Sequence, residues 1–256
     1  MRVRNLSISY GAEPVLEGVN VGVGEGKFIS LVGPSGSGKS SLLRAVIGLQ
    51  RPLNGSIELD VASTDVGMLF QDDALLPWKT ARENVALGLT FRGMNKNEAR
   101  AQADFWLRRL GLAGFEDRFP RRLSGGQRKR VALAQVLALK PKLILMDEPF
   151  ASLDAIVRAR IIQDVVALVE REHISVFMVT HDLEEALWLS DTVYLLSQGP
   201  HAHISKEYTV PIPRPRDLIG ARKHPAFAPL YEKLWRDLSR EVGEAPRLVP
   251  AEVAAA

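Results

Sequence analysis

The chain has 256 residues, about 1.7 typical domain lengths, with 46% hydrophobic and 25% charged side chains. That apolar content suffices for a large core and excludes disordered, collagenous or acidic-tail readings of the whole chain. Thirty-three Lys and Arg against thirty Asp and Glu leave +3, which neither requires nucleic acid nor excludes a polyanion at one local site. With no cysteine, disulfides, thiolate catalysis and cysteine-ligated zinc or iron–sulfur centres are excluded. No charge-free stretch reaches the roughly 18 residues a spanning helix needs, and the start MRVRNLSISY lacks an apolar run of signal-peptide length. Any membrane is expected to enter through a partner.

Residues 1–32 read as strands. Val3, Leu6 and Ile8 alternate loosely and Val19, Val21 and Val23 strictly, with turn signals at residues 10–14 and 24–26. Phe28 to Val32 is a short apolar run, the pattern of a buried parallel strand. After a glycine loop, Leu42, Leu43, Val46 and Ile47 share one helical face, and Gly48 supplies a stop. Short strands return over 55–71, ending in Val66 to Phe70, and residues 72–80 with Pro77 and Trp78 form a connector. From Thr80 to Leu139 the texture is helical, with Trp106, Leu107 and Leu110 on one face. Strands are expected at 143–146, 175–179 and 192–196, and a helix at about 153–171. Residues 209–220 read as extended, 225–243 as an amphipathic helix, and the Ala-rich end as frayed. The order predicts an α/β fold: a parallel-sheet core, an N-terminal antiparallel β subdomain and a helical insertion.

Gly33, Pro34, Ser35, Gly36, Ser37, Gly38, Lys39 and Ser40 satisfy G-x-x-x-x-G-K-[ST] between an apolar strand and a helix, with Ser41 next in that helix. Glycines let successive N–H groups point at phosphate oxygens, Lys39 adds a mobile cation, and the Ser40 hydroxyl can ligate Mg²⁺. Asp147, following the 143–146 strand, would emerge at the same sheet edge and hold Mg²⁺ through Ser40 or water. Glu148 could deprotonate or orient a water, and His181 could polarise that water or the γ-phosphate. Gln71 could contact metal-bound water or be a solvated strand end.

Ser124, Gly125, Gly126 and Gln127 open another helix, where Ser124 can cap and the glycines keep side chains off the first amides. This second anion-grade site lies in the helical insertion, and a symmetric dimer would let it close the other chain's cradle. Arg121, Arg122, Arg128, Lys129 and Arg130 form the strongest positive cluster, read for most of its members as a solvated helix face; nucleic acid is the alternative, disfavoured because the cluster is short and no aromatic residues interleave it.

In this order the motifs resemble the ATP-binding subunit of an ABC transporter over residues 1–235. The resemblance makes Gly33–Ser40 a Walker A loop, Gln71 the Q-loop, residues 123–127 the signature and residues 143–148 Walker B with its catalytic glutamate. Residues 152–154 correspond to the D-loop, His181 to the switch histidine, and Tyr10 to the aromatic that stacks on adenine. It implies ATP and Mg²⁺ as cofactors, a second copy of the chain, permease subunits docked on the 70–90 region, and a substrate-binding protein acting indirectly. It also implies a place on the cytoplasmic membrane face. Residues 70–78, 147–150 and 213–217 look most like the nitrate/sulfonate/taurine importer branch.

The same likeness divides the chain into a core (1–79 and 140–215), a helical signature part (80–139) and a C-terminal helix and tail (216–256). Two departures stand out. Gln135 occupies a place where arginine is usual, and the stretch between Gly55 and Gln71 is short. Two other readings stay open at this level: a non-hydrolysing ATP-dependent dimerisation module, and an ABC-type ATPase acting away from transport.

Overall fold

The structure is a computed structural model that describes residues 1–243 except 12, 152, 154, 215 and 217. The D-loop assignment at Ser152 and Asp154, part of the 213–217 segment and the Ala-rich end therefore lie outside the described residues.

Two sheets carry the architecture. β1 (Arg2–Ser9) pairs antiparallel with β2 (Pro14–Gly22) and with β4 (Asn54–Glu58), giving a three-stranded sheet in the order β2-β1-β4. The six-stranded core sheet runs β5 (Val66–Leu69), β6 (Leu143–Asp147), β7 (Ser175–Thr180), β3 (Phe28–Val32), β8 (Thr192–Leu196), β9 (Ile204–Thr209). Its first five strands are parallel and β9 closes the edge antiparallel to β8. β3 and β6 are buried along their whole length, as apolar runs without alternation require when helices cover both faces.

The helices follow from their periodicity and caps. α1 (Lys39–Val46) buries Leu42, Leu43 and Val46 between the two sheets. α2 (Ala81–Phe91), α3 (Lys96–Arg109) and α4 (Gly125–Ala138) lie between β5 and β6 in sequence and pack on one another around Trp106, Leu107 and Leu133. Thr80 and Glu83 form a reciprocal capping box at the start of α2, which fixes where the connector ends. α5 (Ala155–Arg171), α6 (Leu183–Leu189), α7 (Leu218–Lys223) and α8 (Phe227–Glu241) complete the chain.

Two expectations need correction. The sequence pattern does not announce β9, because apart from Ile204 and Tyr208 its residues are polar and only Tyr208 is buried. The extended reading of 209–220 stops early, since α7 begins at Leu218. Among the described residues, no helix is long and apolar enough to cross a membrane.

Candidate nucleotide site

Parallel strands end on one edge, and there the chain gathers its chemistry. The loop after β3 is the Gly33–Gly38 turn, Gln71 follows β5, Glu148 follows β6 and His181 follows β7.

The glycine loop is shaped from both sides. A Cβ on Gly33 would lie 2.9 Å from the Leu196 carbonyl oxygen, and one on Gly38 would lie 2.8 Å from both Leu16 Cδ2 and Val15 Cγ1. Gly38 also has φ +95, a conformation that side chains disfavour. Within this loop only the Ser37 amide donates to a backbone carbonyl, that of Pro34 at 3.3 Å. The amides of Ser35, Gly36, Gly38, Lys39, Ser40 and Ser41 donate to no described residue. Ser37 Oγ is buried with no hydrogen-bond partner among the described residues. Free amides around an orphaned hydroxyl suit a ligand rich in acceptor oxygens, so the residues present fit a nucleotide's phosphates.

Lys39 is buried and its Nζ donates to the Gly33 and Pro34 carbonyls at 2.9 and 2.7 Å. Burial holds its pKa below the usual lysine value, opposed by the charges of Glu148 and Asp147. Ser40 Oγ donates to Asp147 Oδ1 at 2.9 Å, tying the first turn of α1 to the end of β6. Burial raises the Asp147 pKa, while the Ser40 hydrogen bond opposes the rise. Tyr10 is 58% exposed and donates its hydroxyl to Ser41 Oγ at 3.0 Å, at the mouth of the cradle. Among the described residues no group of three or more His, Cys, Asp or Glu is arranged to hold a metal. Mg²⁺ does not demand one, since it takes one or two protein oxygens and completes its shell with phosphate and water.

Glu148 has φ +43, uncommon for a side-chain-bearing residue, and donates its amide to the Val179 carbonyl at 2.9 Å. Its Oε2 lies 3.1 Å from His181 Nδ1. A network absent from the sequence reading joins Thr180 and Asp182, the two residues that flank His181, to α5 and α6. Asp182 caps α6 by accepting from the Glu185 amide at 3.0 Å, and Thr180 Oγ1 donates to buried Glu185 at 3.1 Å. Arg158 of α5 reaches Asp182 at 2.9 Å and Glu185 at 3.6 Å. The signal for it was the Asp182-x-x-Glu185 spacing at a helix start; Arg158, distant in sequence, gave none.

The second glycine loop forms as a cap. Ser124 Oγ accepts from the Gln127 amide at 3.3 Å, and Gln127 Oε1 accepts from the Ser124 amide at 2.9 Å. Gly126 is required by packing, since a Cβ there would meet Val157 Cγ1 at 2.5 Å. Among the described residues no hydrogen bond or ion pair joins residues 124–127 to residues 33–41. Gln71 is exposed, and its carbonyl accepts from Lys129 Nζ at 3.1 Å.

The solvated-face reading of the basic cluster is corrected for three of its members. Lys129 is buried, Arg128 pairs with Asp73 at 3.3 Å, and Arg130 pairs with Asp164 at 3.4 Å. Each found an acid from another element that sequence proximity could not announce. Arg121 and Arg122 are exposed.

Comparison with known proteins agrees with this geometry. Residues 16–151 match the ABC transporter family. The chain is 38% identical over 246 residues to the bicarbonate transport ATP-binding protein CmpC of Synechococcus elongatus, covering 93% of this chain and 37% of CmpC. It is 41% identical over 208 residues to the nitrate import ATP-binding protein NrtD of a Synechocystis species, covering 79% of this chain and 78% of NrtD. The chain thus spans little more than a third of CmpC but most of NrtD. Among solved structures, it resembles a dimeric post-hydrolysis state of the ATP-binding cassette MJ0796 bound to ADP and Pi. The TM-score is 0.73 and the identity 32%, over 82% of this chain and 98% of that one. With a phosphate cradle, an acid pair and a helical insertion on a parallel sheet, the chain belongs to the ABC transporter family.

Proposed function

We propose that the chain hydrolyses ATP as one half of a two-chain assembly and thereby energises import of a small anion through membrane permease subunits. The observation that carries this reading is the pairing of Ser40 with Asp147 at 2.9 Å beside that of Glu148 with His181 at 3.1 Å. One pair suits the phosphate end of a nucleotide and the other suits an attacking water.

The free loop amides and Lys39 neutralise charge on the phosphates. Mg²⁺, when bound, supplies further charge neutralisation there, with Ser40 and Asp147 as its protein contacts and Gln71 reaching a metal-bound water. Glu148 accepts the proton of the attacking water, and His181 holds the Glu148 carboxylate in position. Tyr10 offers its ring to the adenine. Ser124, Gly125, Gly126 and Gln127 close the cradle of the second copy, which accounts for two anion-grade loops that, among the described residues, share no hydrogen bond or ion pair within one chain. The dimeric, ADP-and-Pi-bound cassette MJ0796 supports that arrangement.

The import reading draws on the bicarbonate and nitrate transport relatives. It puts the chain peripherally on the cytoplasmic membrane face, with a substrate-binding protein acting indirectly through the permease. Trp78, 70% exposed, stands on a connector that buried Asn84 braces through hydrogen bonds to Leu76, Lys79 and Thr80, a rigid apolar surface for a permease helix. Phosphate release from Mg–ATP by the purified chain, and its recovery with a hydrophobic permease, test the reading. ATP-induced dimerisation with no phosphate release would favour the non-hydrolysing module instead.

A further inference from the structure

Lys129 lies on α4 two residues past Gln127 and is 4% exposed. Its Nζ donates to the Phe70 carbonyl at 3.3 Å and the Gln71 carbonyl at 3.1 Å, and pairs with Asp73 Oδ1 at 3.3 Å. The other oxygen of Asp73 accepts from Arg128 Nε at 3.3 Å, and Arg128 Nη1 donates to the Leu123 carbonyl at 2.9 Å. A lysine is almost never buried without partners, and an ammonium has three donors. Among the described residues, all of its hydrogen-bond and charge partners belong to one segment, residues 70–73, and none to its own helix.

That segment has little else to hold it. β5 ends at Leu69, and among the described residues Gln71, Asp72 and Asp73 form no backbone–backbone hydrogen bond. A cavity of about 500 Å³ runs between the loop and α4, lined by Gln71, Asp73, Gly125, Arg128, Lys129 and Leu153. The cation therefore spans the space between the loop that carries Gln71 and the first turns of the helix opened by Ser124–Gln127.

We propose that Lys129 is a positioning residue for Gln71, tying the main chain of its loop to α4 so that the Gln71 side chain and the glycine-rich helix start move as one unit. This rests on the reading above that Gln71 meets the metal-bound water. The charge on Asp73 makes burial of the ammonium tolerable, and Arg128 keeps Asp73 paired if the lysine is lost.

The test removes hydrolysis with Glu148→Gln and measures equilibrium binding of radiolabelled ATP while Mg²⁺ is titrated. Lys129→Met in that background should raise the half-saturating Mg²⁺ concentration roughly tenfold, the lower end of the 10–100-fold typical of groups that support a metal's contacts from outside. Lys129→Gln, which keeps an amide donor for one of the two carbonyls, should give a smaller shift and guards against a folding failure of the Met variant. Gln71→Ala should raise the Mg²⁺ requirement at least as far, and adding Lys129→Met to it should change nothing more. If Gln71→Ala shifts the titration and both Lys129 variants leave it unmoved, or if the double variant is additive, the positioning role is wrong. If Gln71→Ala itself shifts nothing, the metal-water reading of Gln71 fails and the inference falls with it, an outcome visible in that arm alone.

Discussion

His181 Nδ1 lies 3.1 Å from Glu148 Oε2, although the two residues follow different strands. β6 and β7 are parallel neighbours, Asp147 pairs with Val179, and the Glu148 amide extends the ladder by donating to the Val179 carbonyl at 2.9 Å. The backbone of Glu148 is thereby fixed while its carboxylate depends on the imidazole for direction. Replacing His181 with Ala should slow phosphate release by about 100-fold, the lower end for losing the placement of a proton-transfer group such as Glu148, and leave ATP binding within about twofold. A steady-state phosphate assay beside an equilibrium binding measurement checks both, and unchanged turnover would count against the pairing.

Lys39 is held by the Gly33 and Pro34 carbonyls, beside the first turn of α1 and the acid pair. Hydrogen bonds to charged groups contribute about 1.5–3 kcal/mol, so Lys39→Ala should weaken ATP binding by about 10–100-fold. Fluorescence titration with a nucleotide analogue measures it. Unchanged affinity would remove the cradle from the account.

Gly38 and Gly36 separate two costs of adding a methyl group. Both have positive φ, +95 and +78, but a Cβ on Gly38 would strike Leu16 and Val15 at 2.8 Å whereas one on Gly36 meets nothing within 4 Å. Gly36→Ala should cost about 1–3 kcal/mol of stability through backbone conformation alone. Gly38→Ala should cost more, since it adds overpacking of about 1–3 kcal/mol. Urea unfolding of the two variants decides; equal losses would mean that the packing around Gly38 yields freely.

The elements that sequence alone made visible are those where one signal acts locally. Apart from Ser30 and the terminal Asp147, Phe28–Val32 and Leu143–Asp147 are apolar without alternation, the pattern that burial on both faces demands. The cradle is a contiguous motif, so its glycines, lysine and serine read directly. β9 was invisible because a polar edge strand pairs through its backbone while only Tyr208 turns inward. Lys129 read as solvated because its partner Asp73 stands on another element. Arg158 is illegible for the same reason, since an ion pair across elements leaves no periodicity, whereas Asp182 and Glu185 carry a local capping signal at the start of α6.

Glu185 links that network to pH. It is buried facing Thr180, Asp182 and Arg158, with Glu148 close enough to be felt, and burial pushes its pKa from 4.5 up to about 7. A carboxyl with a raised folded pKa contributes stability that is fully present below about pH 4.5 and lost as pH rises through about 7. Glu185→Gln removes the titration and should flatten this loss. Melting scans between pH 5 and 8.5 should find the variant gaining on the parent as pH rises, by at least about 1 kcal/mol or roughly 2–4 °C at the alkaline end. Parallel pH curves would contradict the assignment.

If Asp147, which ends β6, and Glu148 just after it turn the phosphate cradle into a hydrolytic site, loss of the Glu148 carboxylate must show in turnover. The most direct measurement is phosphate release by Glu148→Gln compared with the parent chain, with Mg–ATP binding followed on the same samples. Binding should persist within about threefold while release falls by at least about 100-fold. Release at the parental rate by a variant that still binds nucleotide would contradict it.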